Sequence, residues 1–182
     1  MTTPALLIRP STPADLPAIT AIYAEAVLHG TGTFELDPPD ETEMARRRDD
    51  VLSKGLPWLM AEAPGAAGPQ LLGYAYANHF RPRRAYRFCL EDSIYLHPDA
   101  RGRGVGRLLL TELVGRCEAA GARQMLAVIG DAANAGSIGV HAALGFEHTG
   151  VLKAAGWKFD RWLDVILMQR VLGSGDTMPG TD

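Results

Sequence analysis

A carboxylate and an imidazole are the side chains of this chain that are best suited to moving a proton. Glu91 lies in an apolar stretch beside Asp92, and both burial and a neighbouring like charge favour the protonated form of a carboxyl group. Such a group approaches the pKa that a general base needs. His141 precedes a turn at Gly145, and an unperturbed imidazole titrates near working pH. The pair predicts acid–base chemistry; a surface salt bridge for Glu91 and a structural role for His141 are the alternatives.

A glycine-rich turn downstream of Glu91 has the features of a phosphate-binding site. The apolar stretch Ser93–Leu96 predicts a strand, and Pro98 ends it because proline cannot donate to a sheet. A helix with an apolar stripe follows, and the free N–H groups at a helix start bind anions. The glycine spacing matches neither a dinucleotide-binding fingerprint nor a P-loop; a solvated surface turn is the alternative. The predicted phosphate turn consists of Arg101, Gly102, Arg103, Gly104, Val105, Gly106 and Arg107.

A second cationic cluster stands just before the stretch that carries Glu91. Its members are Arg81, Arg83, Arg84 and Arg87. Arginine binds carboxylates in a bidentate manner, so an arginine and Glu91 could orient an amino acid through its two ends. Nucleic acid is not favoured, because only Tyr86 and Phe88 could stack on bases and the net charge is −3. A solvated loop is the alternative for at least half of the cluster.

Composition predicts a cytoplasmic globular protein. The 182 residues are 47% apolar and 21% charged, which fits one folded domain over 1–172 followed by a flexible polar tail, 173–182. No apolar run reaches membrane-spanning length, and no signal peptide is evident. Cys89 and Cys117 lack metal or redox spacing and are expected to be buried. No metal site is expected, since His29, His79, His97 and His148 show no ligand spacing.

Periodicity and capping residues predict the order β-α-α-β-β-β-α-β-α-β-β, a mixed α/β fold with helices on both faces of a mainly antiparallel sheet. Thr12, Pro13 and Asp15 signal a helix start, and Asp40 is expected to cap a second helix. Gln124–Ile129 is continuously apolar, which predicts a parallel strand that is buried on both faces. The other predicted strands are Ala5–Arg9, Trp58–Ala61, Leu71–Asn78, Arg87–Leu96, Phe146–Val151 and Trp162–Val171.

Several segments resemble one family. The order Arg-x-x-Gly-x-Gly at 101–106 resembles the acetyl-CoA loop of the GNAT superfamily of N-acetyltransferases, whose element order is the one predicted. Further segments are similar to the phosphinothricin and methionine sulfoximine N-acetyltransferases within it. They are Thr33-Phe34-Glu35, Ala85-Tyr86-Arg87, Glu91–Tyr95, Asn134 with Ser137, His141–Phe146 and Trp157–Val165. The resemblance implies the GNAT fold, in which the central strands of a mostly antiparallel sheet splay apart.

The resemblance also implies a role for each candidate residue. Glu91 takes the place of the family's general base. His141 stands where the wider superfamily commonly has a tyrosine acid but the phosphinothricin group has a histidine, so its role is open between acid and base. Acetyl-CoA is the implied cosubstrate, with its pyrophosphate on the phosphate turn. The other implied cofactor contacts are Ile94, Tyr95, Leu96, Asn134 and Ser137; an ordinary helix cap is the alternative for Asn134. The implied substrate contacts are Phe34, which looks exposed in its loop, Arg81, Pro82, Arg83, Glu91, Asp92 and Ser93.

The function implied is acetyl transfer to the α-amino group of a small amino-acid analogue such as phosphinothricin, methionine sulfoximine or methionine sulfone. The alternatives are another small amine, a protein N-terminus, or an acyl-CoA-binding regulatory module without catalysis. The resemblance also implies a homodimer, and the unusually aromatic segment with Trp157, Phe159 and Trp162 could anchor its interface. Neither nucleic acid nor a membrane is an expected partner.

Overall fold

A seven-stranded sheet forms the centre of the structure, a computed structural model that describes residues 6–65 and 68–180. The strands are β1 (Leu7–Pro10), β2 (Trp58–Gly65), β3 (Gly68–His79), β4 (Cys89–Leu96), β5 (Gln124–Gly130), β6 (Glu147–Lys158) and β7 (Arg161–Val171). Their order across the sheet is β1-β2-β3-β4-β5-β7-β6. Ala5, the first residue of the predicted strand Ala5–Arg9, lies outside the described residues.

Two of the predicted capping signals act as the sequence indicates. Asp15 accepts a hydrogen bond from the Thr12 N–H at 2.7 Å, and a short 3-10 turn, Pro13–Asp15, leads into the first helix. Asp40 accepts a hydrogen bond from the Glu43 N–H at 2.8 Å and caps the second helix. The helices are α1 (Leu16–His29), α2 (Glu41–Ser53), α3 (Val105–Ala119) and α4 (Ala135–Ala143), so the predicted element order is confirmed.

The sheet opens between its two central strands. β4 and β5 run parallel, as predicted, but their pairing ends at Asp92 and Ala127, although both strands continue beyond this point. The other strand pairs among the described residues are antiparallel. The prediction that β5 is buried on both faces is wrong on one face, because Val128 is 36% exposed where β4 no longer pairs with β5. The candidate functional site lies in the gap between these two strands.

Helices cover both faces of the sheet. α1 packs through Tyr23, whose ring meets Tyr95 of β4 edge-on at 4.9 Å between centroids. α3 packs against β2, β3 and β4 and buries Leu109, Leu110 and Leu113 completely. Each such leucine stabilises the fold by about 1.5–3 kcal/mol relative to an exposed one. Because successive side chains of a strand point to opposite faces, Glu91 and Asp92 project toward different helix layers.

The β6–β7 hairpin is longer than the sequence predicts. Its turn consists of Phe159 and Asp160, with φ of 52° and 55°, which places both residues in the left-handed region. Two such residues make the tight turn whose twist suits a hairpin, a position usually taken by asparagine or glycine. Without those residues as a signal, the prediction ended the first strand at Val151 and began the second at Trp162.

Three further expectations concern the cysteines, the tail and the membrane. Cys117 is buried as expected, but Cys89 is only half-buried. Residues 173–176 form a turn, and the Gly175 N–H donates to the Leu172 carbonyl at 2.9 Å. The flexibility of the tail and the single-domain division stay predictions. No helix among the described residues is long and apolar enough to cross a membrane.

Candidate active site

A cleft of about 860 Å³ lies where β4 and β5 separate. Its walls are the free part of β4, the start of α3, the end of β5, the start of α4 and residues 30–33, which follow α1. The cleft brings together most of the predicted site residues: Glu91, Asp92, Ser93, Ile94, Tyr95, Leu96, Arg101, Gly102, Gly104, Gly106, Arg107, Asn134, Ser137 and His141. The sequence therefore located the lining of one cavity from three separate segments.

The predicted phosphate turn presents backbone to this cleft. Gly102 and Gly104 have φ of 70° and 79°, which glycine adopts without a steric penalty. A Cβ at either position would meet nothing within 4 Å. Gly104 is also the N-cap of α3, so the N–H groups of the first helical turn lack helical acceptors. These features fit the pyrophosphate of an acyl-CoA.

Two members of the predicted turn do not line the cleft. The Arg103 Nη1 donates to the Asp99 carbonyl at 3.2 Å, and Val105 is buried in the core. Arg101 and Arg107 do line the cleft, so two of the three arginines of the turn are placed to attract an anion there.

Beyond Asp92, β4 has one edge without a strand partner. Ser93–Leu96 pairs with β3 on one side, but β5 no longer pairs with it on the other. Backbone N–H and C=O groups on such an edge can bind an extended ligand as an added strand would. The amide-containing arm of an acyl-CoA could pair with this edge while its pyrophosphate binds at the start of α3, because both line the same cleft.

Glu91 lines the cleft on the α1 side of the sheet and is half-buried. Burial raises the pKa of the Glu91 carboxyl, the charge of Asp92 raises it further, and the charge of Arg81 opposes the shift. A carboxylate with a raised pKa is a better proton acceptor than an ordinary glutamate. The geometry therefore suits a general base.

His141 and Asp92 form a buried pair on the opposite face. The His141 Nε2 lies 3.0 Å from Asp92 Oδ2, and its Nδ1 lies 2.7 Å from the Ser137 carbonyl. Because a carbonyl only accepts, Nδ1 carries a proton. Burial alone would lower the pKa of His141, but the Asp92 carboxylate outweighs burial and raises it. Each ring nitrogen of His141 therefore has a protein partner, and the side chains of His141 and Asp92 are only 2% exposed.

Asn134 caps α4, as its alternative interpretation held. Its Oδ1 accepts a hydrogen bond from the Ser137 N–H at 3.2 Å. The Asn134 Nδ2 lies beside Gly32, 3.8 Å from where a Cβ of that residue would stand, and both residues line the cleft. The capping role uses only the oxygen, so the amide nitrogen still has donors to offer a ligand.

The remaining predicted substrate residues lie outside the cleft lining. Arg81, Pro82 and Arg83 are exposed in the loop between β3 and β4. Arg81 stacks on Phe80, with its guanidinium carbon 4.8 Å from the ring centroid. The expectation that Phe34 is exposed is wrong: its ring is half-buried, because it covers the backbone of two glycines in β5 and β6.

Sequence reasoning missed several residues of the cavity. They are Tyr76 on β3, Thr31 and Gly32 after α1, and Val128, Gly130 and Asp131 at the end of β5. Tyr76 stands opposite Ser93 in the β3–β4 register, a pairing that no local pattern reveals. A glycine followed by an aspartate at the end of an apolar strand was the available signal for Gly130 and Asp131.

An open sheet with a strand edge and a helix start directed into one cleft defines a transferase that takes its acyl group from coenzyme A. The profile of the acetyltransferase (GNAT) family matches residues 21–146. The chain belongs to this family, and both the predicted fold and the predicted enzyme class are confirmed.

The named relatives are N-acetyltransferases. The chain is 59% identical over 163 residues to a phosphinothricin N-acetyltransferase of Alcaligenes faecalis, covering 90% of this chain and 81% of the relative. It is 41% identical to an L-methionine sulfoximine/L-methionine sulfone acetyltransferase of Pseudomonas aeruginosa, covering 89% and 92%. A crystal structure of a phosphinothricin acetyltransferase from Sinorhizobium meliloti in complex with acetyl-CoA has a TM-score of 0.92 and 51% identity, covering 97% and 94%.

Proposed function

We propose that this chain transfers the acetyl group of acetyl-CoA to the α-amino group of a small amino-acid analogue such as phosphinothricin, methionine sulfoximine or methionine sulfone. The observation that carries the proposal is the position of Glu91, a carboxyl with a raised pKa on the wall of a cleft whose other end fits a coenzyme A arm. The names of the relatives support the choice of substrate.

The cofactor contacts follow from the two ends of the cleft. The phosphate turn binds pyrophosphate through the N–H groups at the start of α3, assisted by Arg101 and Arg107. The free edge of Ser93–Leu96 and the Asn134 amide nitrogen bind the arm. Acetyl-CoA supplies an acyl group activated as a thioester.

Replacing Gly104 with valine should weaken acetyl-CoA binding roughly tenfold or more. Valine brings branched methyl groups to a site of phosphate contact, and φ of 79° strains a β-branched residue. Isothermal titration calorimetry with acetyl-CoA measures the effect, with circular dichroism to check the fold. Gly115→Val, exposed on the same helix with ordinary φ, is the matched control. Equal affinities of the Gly104 variant and wild type would refute the assignment.

In the proposed reaction Glu91 takes a proton from the substrate ammonium, because only a neutral amine has the lone pair that attacks the thioester carbonyl. A backbone N–H on the free edge of β4 stabilises the resulting oxyanion. The tetrahedral intermediate then breaks its C–S bond and expels coenzyme A as a thiolate, which takes up the proton that the new amide nitrogen loses. Among the open roles for His141, holding Asp92 is the one its contacts favour, since neither ring nitrogen is available to a ligand. Asp92 in turn occupies the last paired position before the strands separate.

Arg81 is the arginine best placed to bind the substrate carboxylate. It is exposed in the loop that leads into β4, and its charge lowers the pKa of the Glu91 carboxyl against the effect of burial, so it can attract the carboxylate of a substrate whose amine meets Glu91. A thiol-release assay with acetyl-CoA across a panel of amino-acid analogues, polyamines and N-terminal peptides tests the proposal. Turnover confined to amino-acid analogues supports it. Turnover on the other amines, or acetyl-CoA binding without turnover, favours the alternative functions.

We also propose that two copies associate through the β6–β7 hairpin. Trp157, Phe159 and Trp162 are 52%, 50% and 64% exposed there, and this patch of aromatic side chains is typical of an interface. Light scattering should give twice the chain mass at micromolar concentration, and Trp162→Glu should give the monomer mass. Leu7→Glu, a similarly exposed apolar position on the opposite sheet edge, is the control. A monomeric wild-type protein would rule the dimer out.

A further inference from the structure

The tip of the β6–β7 hairpin holds the segment that follows α1. Lys158 is only 3% exposed, and its Nζ donates to the Thr33 carbonyl at 2.9 Å across 125 residues of sequence. Burying an ammonium group costs free energy unless the group has hydrogen-bond partners, so the bond to Thr33 compensates for the burial of Lys158. Burial lowers the pKa of Lys158, and the charge of Glu35 opposes that shift.

A second contact joins the same two parts of the chain without any charge. Gly156 lies on the same face of β6 as Lys158, and a Cβ there would stand 2.2 Å from the Phe34 ring. A Cβ at Gly130 would stand 3.0 Å from the same ring. Phe34 therefore rests on a platform that exists only because both positions are glycine.

A third contact fixes the other wall of the cleft to the hairpin. The Arg161 Nη2 donates to Asp131 Oδ2 at 2.7 Å, and Asp131 lines the cleft at the end of β5. The Gly130 backbone approaches the Thr31 carbonyl so closely that a Cβ would lie 2.3 Å from it. The hairpin tip thus contacts the segment after α1 through Thr33 and the end of β5 through Asp131, and both residues line the cleft that Glu91 also lines.

Residues 31–33 of this segment line the same cleft as Glu91. Among them, Thr33 bonds to Tyr23 on α1, the helix layer toward which Glu91 projects. The phosphate turn lies on the opposite layer, whereas the Asn134 amide lies beside Gly32, 3.8 Å from where a Cβ of Gly32 would stand. Because the cofactor keeps its contacts with the phosphate turn and the β4 edge, a shift of this segment is expected to weaken amine binding more than acetyl-CoA binding.

We propose that Lys158 is a positioning residue for the amine substrate, which acts by holding the segment Thr31–Phe34 against the β6–β7 hairpin. The inference rests on the proposed acetyl transfer and adds a residue that has no contact with the cavity. The Thr33 carbonyl thus receives a charged donor from the hairpin, and Phe34 packs on the glycines of β5 and β6.

Lys158→Met tests the proposal with acetyl-CoA and L-phosphinothricin in steady-state kinetics. The KM for phosphinothricin should rise roughly tenfold, the factor that corresponds to a lost charge-assisted hydrogen bond. The KM for acetyl-CoA and the value of kcat should change less than the KM for phosphinothricin. Lys158→Arg, which keeps a donor, should restore most of the binding. Lys153→Met is the matched control, because Lys153 lies on the same strand, 77% exposed, and bonds only to Asp164 within the described residues.

Two further measurements keep the result interpretable. Gly156→Ala displaces Phe34 and leaves the Lys158 side chain unchanged, so it should also raise the KM for phosphinothricin. This variant replaces Lys158→Met in the test if the methionine variant does not fold. Amide hydrogen exchange at residues 31–34 should accelerate in the Lys158 variant and not in the Lys153 variant, whatever amine is used. Unchanged exchange, or equal rises in both KM values, would overturn the proposal. Accelerated exchange in an enzyme that acetylates no amino acid would instead refute the proposed function alone.

Discussion

Glu91→Gln should lower kcat by roughly 10²- to 10⁴-fold, the usual contribution of a positioned general base. Glutamine keeps the shape of the side chain and part of its hydrogen bonding but cannot take up the substrate proton. The affinity for acetyl-CoA should stay unchanged, because the phosphate turn lies at the other end of β4. Steady-state kinetics with phosphinothricin and calorimetry with acetyl-CoA measure the two quantities. Glu147→Gln, an exposed carboxylate on β6, is the matched control.

The pH profile gives this prediction its sharpest test. The raised pKa of Glu91 places the acidic limb of the wild-type rate above the range of an ordinary glutamate, about 4.3. The Gln variant should lose that limb and should recover rate at alkaline pH, where the substrate amine deprotonates without help. A kcat within a few-fold of wild type across the whole range would remove Glu91 from catalysis. A rise in KM alone would make it a binding residue.

The sequence predicted those parts of the fold that are determined by residues close together in the chain. The Thr12–Asp15 and Asp40 caps act within a few residues of themselves, and the phosphate turn contains its glycines and arginines in one stretch. The hairpin turn at Phe159 and Asp160 escaped prediction because its left-handed residues are neither glycine nor asparagine. The pairing of Lys158 with Arg161 and of Trp157 with Trp162 brings the two strands together around this turn. Such pairing leaves no signal in the turn residues themselves.

The same limit applies to the site. Glu91 and the turn were found because burial and helix starts can be inferred from neighbouring residues. The partnership of His141 with Asp92 spans 49 residues, and that of Lys158 with Thr33 spans 125. Only the sheet, which places β4 beside α4 and brings the β6–β7 hairpin under the end of α1, creates these contacts. The resemblance supplied candidate residues for the cleft but not the bonds that hold them.

His141→Phe should destabilise the protein by about 3–5 kcal/mol, the usual cost of leaving one member of a buried ion pair without its partner. The Asp92 carboxylate would then lie buried with neither oxygen bonded among the described residues, since its Oδ1 already has no partner there. For a chain of this size the loss corresponds to a fall in melting temperature of roughly 10 °C. Thermal unfolding followed by circular dichroism measures it, with His148→Phe, an exposed histidine on β6, as the control.

The pH dependence of stability separates a charge effect from a packing effect at His141. Its pKa is raised in the folded protein, so its contribution is complete below the unfolded value, about 6.5, and is lost as the pH rises through the folded value. Wild type should therefore lose stability over that range, whereas His141→Phe should not show this loss. Adding Asp92→Leu to His141→Phe removes the stranded carboxylate and should restore much of the stability, because an apolar pair replaces a broken ionic one. If the single variant is as stable as wild type, or the double variant is less stable than the single one, the pair does not hold α4 to β4 by charge.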